Sequence, residues 1–431
     1  MIPEIKIAIA GLGNVGAGVC KVLFDNKNSI EQRTNSVIKI IAVSARDAKK
    51  DRGFDLSNIK FVSDPLDLIA EKPDIICELI GGEDGVALSL VSKALQSKIA
   101  VVTANKALLA KHGVMLAELS ETHQTPLCFE AAVAGGIPII KLLREGLAAN
   151  KITKLYGILN GTCNYILTTM RDTGRDFADV LSEAQEKGYA EAEPSLDVDG
   201  FDTAHKLSLL VALAYGVKPQ MEGMSVSGIR PIKADDIKAA DELGYRIKLL
   251  GASHINDQGK ILQIVEPCLV PVSSQLSHVN GVLNAIYSEG SHMGASFISG
   301  RGAGAEPTAS SVVADIIDII LNRNNYMFMK PISSIGDINI ISDNEFIGSY
   351  YLRLMVKDEA GVIADVSAIL RDEDISIESL IQRGRDPHHP VMVVLTTHEC
   401  SRAQLKRAID KIKALKSVSE TPFFMPILRL P

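Results

Sequence analysis

Residues 5–10 (IKIAIA) form an almost wholly apolar run that stops at Gly11, the pattern of a strand covered on both faces in a parallel sheet. Similar runs follow at 37–43 (VIKIIAV), 74–80 (DIICELI) and 99–104 (IAVVTA), separated by helix-compatible stretches such as GVALSLVSKALQSK. Strands alternating with helices predict βαβ units and a doubly wound parallel sheet over roughly the first 130 residues. From about 135 to 300 the helix signals IPIIKLLREGL and FDTAHKLSLLVALAYG are mixed with the strand-like runs KITKLYGIL, RIKLLGASH and KILQIVEPCLV, which predicts an α+β unit with an open antiparallel sheet. The apolar-periodic run 307–323 predicts a long helix that returns to the first domain.

A polar, turn-rich segment, PISSIGDINIISDNEF (331–346), precedes a third pattern. There YYLRLMVKD, GVIADVSAILRDE, ISIESLIQ, VMVVLTTH, SRAQLKRAIDKIKAL and PFFMPILRL read as strand, helix, strand, strand, helix, strand, a ferredoxin-like βαββαβ order. The expected division is a first domain over 1–134 completed by a helix over 305–325, a second over 135–304, a linker at 331–347 and a small domain over 348–431. No internal repeat or low-complexity tract interrupts it.

With 431 residues, the chain has length for two to four domains. Its 45 basic and 52 acidic residues leave a formal charge of −7, so no global field favours nucleic acid or an anionic membrane. The six cysteines (20, 77, 128, 163, 268 and 400) show no CxxC spacing and sit in apolar runs, as small buried hydrophobes do in a reducing compartment. Neither a secretory leader pattern nor a bilayer-length apolar run is present, and the expected location is the cytoplasm.

The glycine-rich turn Gly11-Leu12-Gly13-Asn14-Val15-Gly16 directly follows the first strand pattern and opens a helix. That context gives a tight turn, close backbone approach and helix N-terminal amides aimed at a pyrophosphate, so the first domain is expected to be a Rossmann-type dinucleotide fold. The second strand ends in Ser44-Ala45-Arg46, without a carboxylate for a free ribose hydroxyl but with a cation for a 2′-phosphate. NADP is therefore favoured, with NAD possible; the alternative is a solvated Arg46 beside Lys49 and Lys50. Thr103, Asn105 and Lys106 fall at the carboxyl edge of the sheet, where ligands of such sheets bind, although a surface lysine opening a helix reads the same way.

In PLCFEAAVAGGIPII (126–140), the carboxylate of Glu130 and the carbonyls of Val133, Gly135 and Ile137 could surround a monovalent cation; a close-packed hinge explains the glycines equally well. The densest polar stretch, KGYAEAEPSLDVDGFDTAHK (187–206), carries Glu191, Glu193, Asp197, Asp199, Asp202 and Lys206 before an apolar helix. Asp202 and Lys206 are four apart and share one helix face, as a surface ion pair or as a substrate acid and a proton donor. A second glycine-rich turn, SGRGAGAEPTAS (299–310), precedes the last long helix pattern and is either a phosphate-approaching turn or a plain N-cap.

Taken in order, GLGNVG, TANK, FEAAVAGGIP, GILNGTCNYIL, GYAEAEPSLDVDGFDTAHK and GRGAGAEPTAS strongly resemble homoserine dehydrogenase over about three quarters of the chain, and KDEAGVIADVSAIL resembles the start of an ACT domain. The resemblance implies NAD(P)-dependent interconversion of L-homoserine and L-aspartate 4-semialdehyde, on the route to threonine, methionine and isoleucine. It gives Lys206 the proton-donor place and Glu191 and Asp202 the substrate places. Lys106, Gly188 and Gly304 fall on cofactor positions; Glu130, Val133, Gly135 and Ile137 fall on a sodium site. It further implies a homo-oligomer, a dimer or tetramer, and threonine as effector at Asp358, Gly361 and Val362, with Gln382 as partner. Two rivals are aspartate-semialdehyde dehydrogenase, which needs a reactive cysteine such as Cys77 or Cys128, and a non-catalytic amino-acid sensor that uses NADP structurally.

Overall fold

The computed structural model describes residues 2–48, 50–323, 326–383 and 389–429; Lys49, named above beside Arg46, lies outside them. By compactness the chain divides into two units, one of Met1–Leu159, Ala204–Glu222 and Val282–Ile338, the other of Asn160–Thr203, Gly223–Gly281 and Asn339–Pro431. Each is described in turn.

The first unit contains a six-stranded parallel sheet in the order Lys60–Val62, Val37–Ser44, Glu4–Ala10, Ile75–Glu78, Ala100–Thr103, Leu127–Cys128. This is the doubly wound nucleotide-binding order, with its crossing point beside the first strand. Ile7 and Ile9 of that strand are fully buried, which is why the run carries no alternation. Helix Asn14–Asp25 packs against helix Ala305–Ile320, so closely that a Cβ on Gly18 would lie 2.7 Å from the Ala305 carbonyl oxygen. Ala309, Val312, Val313 and Ile316 thereby join the same apolar core as Ile7 and Ile9.

The same unit holds a three-stranded antiparallel sheet of Ile152–Ile158, Leu283–Gly290 and Gly294–Arg301. The last two strands form a hairpin that hydropathy did not announce: GASFISGR is a half-exposed edge whose large apolar residues, Phe297 and Ile298, are adjacent and do not alternate. Likewise IPIIKLLREGL is not one continuous α-helix. A short helix Ile139–Lys141 passes into a wider turn, Leu142–Gly146.

In the second unit, strands Tyr245–Ile255 and Ile261–Pro271 pair antiparallel over their full lengths. The ferredoxin-like segment follows in the order Phe423–Ile427, Ile347–Val356, Val391–Thr397, Ile377–Gln382. Helices Val362–Asp372 and Arg402–Lys413 bury Val362, Val366, Leu370, Leu405, Ala408 and Ile412 against its core. The segment is knitted to the preceding sheet: Leu269 pairs with Ile427 in parallel register, and Ile341 donates its amide to Ile261 and Ile261 its own to Asn339. Two buried ion pairs reinforce this. Arg353 meets Asp236, which also accepts from Tyr351 at 2.8 Å, and Arg402 chelates Glu266 at 2.6 and 3.0 Å. Among the described residues no helix is long and apolar enough to cross a membrane.

Candidate functional site

The glycine turn at 11–16 is shaped by close backbone approach. Gly11 has φ of +98°, and a Cβ there would lie 2.5 Å from the Leu79 carbonyl oxygen; one on Gly16 would lie 2.0 Å from that of Gly11. Around Gly13 the space is open to 4 Å, which leaves room for a bound group at the head of helix Asn14–Asp25. A cavity of about 510 Å³ opens there, lined by Gly11, Leu12, Gly13, Arg46, Lys50 and Arg52. Arg52 donates to the Leu12 carbonyl at 3.2 Å and to those of Lys50 and Asp47, fastening the loop after the second strand to the turn. The donor set fits a dinucleotide: backbone amides for a pyrophosphate and cations for a further phosphate. Neither Lys50 as a lining residue nor Arg52 stood out in the sequence, because their place depends on how this loop folds back.

Thr103 faces inward. It is fully buried, and its hydroxyl donates to Glu78 at 2.7 Å and accepts from the Asn105 amide at 3.0 Å. Glu78, at the end of its strand, also accepts from the amides of Ile80 and Gly81. Both therefore organise the carboxyl edge of the sheet; Asn105 caps the helix that Lys106 begins by accepting from Leu108. Gly304, with φ of +119°, is the N-cap of helix Ala305–Ile320. The turn 299–305 is packed on the Gly135-Gly136 turn, where a Cβ would meet the Gly302 carbonyl oxygen at 2.5 Å and Pro307 at 2.8 Å respectively.

Glu130 is 1 % exposed, and its carboxyl accepts from the amides of Ile140 and Lys141 at 2.8 and 2.9 Å. The Gly135 carbonyl accepts from Ser311 at 2.6 Å, and that of Ile137 from the Ile139 amide at 2.8 Å. Of the four sodium candidates, Glu130, Gly135 and Ile137 thus have their oxygens engaged by the protein, and Val133 supplies a buried carbonyl between them. Among the described residues no group of three or more His, Cys, Asp and Glu side chains could hold a metal. These contacts support the hinge reading and give the sodium expectation no support. Burial, with the Asp315 carboxylate next in importance, pushes Glu130 up to about 8.

Lys206 is 8 % exposed and donates to the Leu159 carbonyl at 2.6 Å. It lies one turn after Asp202 on helix Phe201–Tyr215, whose apolar positions from Leu207 to Leu213 are buried. In the second unit the acidic run is organised by a residue outside it: Asn160 donates to Asp197 at 2.7 Å and to Asp202 at 2.8 Å. Asp197 is thereby drawn to Asp202, whereas Asp199 is turned to Arg230 at 2.5 Å and Glu193 accepts from Ser195. Glu191 sits exposed on the loop, tethered through its main-chain oxygen to Gln185 at 3.0 Å. Gly188, at φ +73°, makes the turn that leads there.

In the C-terminal segment Gly361, at φ +97°, caps the helix begun by the buried Val362, and the half-buried Asp358 lies in the turn before it. Gln382 is exposed at the end of its strand, with Val391–Thr397 between that strand and Ile347–Val356. All six cysteines are reduced and buried. Burial pushes Cys20 up to about 12 and raises Cys77 and Cys128 strongly, so none of the three is a ready thiolate nucleophile.

Family models agree with this architecture: one for the homoserine dehydrogenase NAD-binding domain matches residues 11–130, one for homoserine dehydrogenase 138–317, and one for the ACT domain 350–417. Homoserine dehydrogenase of Neisseria gonorrhoeae is 43% identical, with 98% of each chain covered. The crystal structure of a homoserine dehydrogenase from Thiobacillus denitrificans matches with a TM-score of 0.92 at 39% identity, covering 99% of this chain and 98% of that one. A hyperthermophilic archaeal homoserine dehydrogenase solved in complex with NADPH matches with a TM-score of 0.64 at 26% identity, over 75% of this chain and 99% of its own. The chain belongs to the homoserine dehydrogenase family.

Proposed function

We propose that this enzyme interconverts L-homoserine and L-aspartate 4-semialdehyde with NADP as preferred cofactor, Lys206 moving the proton and Asp202 and Glu191 holding the amino acid. The observation that carries the reading is the placement of Lys206: a buried amine, anchored on a backbone carbonyl, one helical turn from an acid. Bound NADPH supplies the hydride. As negative charge develops on the substrate oxygen, the Lys206 ammonium stabilises it and gives up a proton, and in the oxidative direction the neutral amine takes the hydroxyl proton back. The acids pair with the ammonium of the amino acid, which fixes the carbon to be oxidised.

Arg46 at the cavity wall supports NADP, as does the NADPH complex of the archaeal relative. We further propose Lys106, Gly188 and Gly304 as cofactor contacts, a cytoplasmic homo-oligomer, and threonine inhibition through Asp358, Gly361, Val362 and Gln382. Initial rates with L-homoserine, measured as reduced nicotinamide formed, test the main reading. NADP should give the higher kcat/KM, and absence of turnover with either cofactor contradicts the assignment. Threonine control is tested with Asp358→Asn in the full chain. Deleting 348–431 would strip Arg353 and Arg402 from the buried acids Asp236 and Glu266, a loss of fold rather than of a ligand.

A further inference from the structure

We propose that Asn160 is a positioning residue for the reaction, a single amide that ties the substrate acid Asp202 to Asp197 and so fixes the carboxylate that meets the substrate's ammonium. The proposal rests on the reading above. Asn160 is 5 % exposed, and its side-chain contacts have three directions. Its Oδ1 accepts from the Cys163 amide at 2.8 Å, capping helix Gly161–Thr173. Its Nδ2 donates to Asp197 Oδ1 at 2.7 Å and to Asp202 Oδ2 at 2.8 Å.

The network leaves one orientation of the amide. Turned over, it would set an NH2 against the Cys163 N–H and an oxygen against two carboxylates. The cap alone does not explain the residue type, since serine, threonine or aspartate supply the same acceptor. The acids do: at this reach only asparagine combines the capping oxygen with two donors. Because both N–H bonds lie in one rigid plane, the directions of the two carboxylates are fixed together. Their like charges, on the separate helices Ser195–Val198 and Phe201–Tyr215, are joined through shared hydrogen bonds. Cys163 adds a second tie, its thiol donating to the Asp197 carbonyl at 3.2 Å.

Cap and clamp are separable by substitution. Asn160→Asp in the full-length chain keeps the capping oxygen and removes both donors while adding a carboxylate. The expected result is a fall in kcat/KM for L-homoserine of about 100-fold, with NADPH affinity, followed by nucleotide fluorescence, within about threefold of wild type. The deficit should shrink about tenfold as pH is lowered, because the introduced carboxyl regains a donor when protonated. Asn160→Ser also keeps a cap and adds no charge; it should lose about tenfold in kcat/KM with no recovery at low pH.

A deficit in Asn160→Asp that is flat with pH, kinetics within about threefold of wild type in both variants, or NADPH affinity falling in step with turnover would each overturn the positioning role. Failure of the wild-type chain to oxidise homoserine would instead overturn the assignment on which it rests.

Discussion

The two chemical regions of this enzyme are encoded in different ways. The glycine turn at 11–16 is made by backbone: its shape follows from positions where a Cβ would meet a carbonyl oxygen, as at Gly11 and Gly16. The acid cluster is made by side chains. Asp197 and Asp202 owe their pairing to Asn160, some forty residues upstream in the chain. A backbone device needs specific residues at specific local spacings and shows in the sequence. A side-chain network draws on any part of the chain and shows only after folding.

If this contrast is right, a substitution in one region should leave the other's ligand alone. The largest effect is expected for Lys206→Ala, a fall in kcat of about 10³-fold with NADPH affinity nearly unchanged. Rapid-quench turnover and nucleotide fluorescence measured on one preparation check both halves.

Next comes the buried carboxyl of Glu130, held by the amides of Ile140 and Lys141. Glu130 is held up to about 8 against an ordinary 4.5 by burial and then by Asp315. The folded chain therefore binds the proton more tightly than the unfolded chain, and stability should fall as pH rises from about 4.5 through about 8, by up to a few kcal/mol. Glu130→Gln should remove that slope, so its melting temperature relative to wild type should rise across the same window. A difference independent of pH contradicts the linkage.

Gly16→Ala forces a Cβ against the Gly11 carbonyl and should cost about 1–3 kcal/mol of stability together with nucleotide affinity. Thermal melts with and without NADPH separate the two losses. Gly13→Ala, with no atom within 4 Å of its Cβ position, should keep the stability and lose affinity only where the Cβ meets the ligand.

The smallest effect belongs to Arg46→Ala, which should lower the NADP-to-NAD ratio of kcat/KM by about tenfold without changing the melt, because the side chain is exposed at the cavity wall. An unchanged ratio would transfer the 2′-phosphate contact to Lys50 or Arg52.

The parallel sheet and the ferredoxin-like order were legible because apolar runs of the proper length alternate with helical periods. The hairpin Leu283–Gly290 and Gly294–Arg301 was not, since its edge strand is half-exposed and carries no apolar alternation. Helix Gly161–Thr173 was also hidden. Its sequence, GTCNYILTTMRDT, is rich in threonine and polar residues, and its start is fixed by the Asn160 cap.

At the site, the four-residue spacing of Asp202 and Lys206 before a nearly all-apolar helix showed that they share a face and left a surface ion pair equally open, whereas the contacts of Asn160 and Glu78 were not visible. Thr103 ends its strand as expected, and its hydroxyl donates to Glu78, a partner that spacing does not show. The cation reading of 130–137 gained no support, because spacing does not show that the Gly135 and Ile137 carbonyls accept from Ser311 and Ile139.

The central claim is a division of labour in which acids hold the amino acid and Lys206 moves the proton. Calorimetric titration of L-homoserine into the NADP-saturated Lys206→Ala enzyme tests it most directly. The account predicts a dissociation constant within about threefold of wild type despite the loss of turnover. Loss of binding in proportion to the loss of turnover would contradict it.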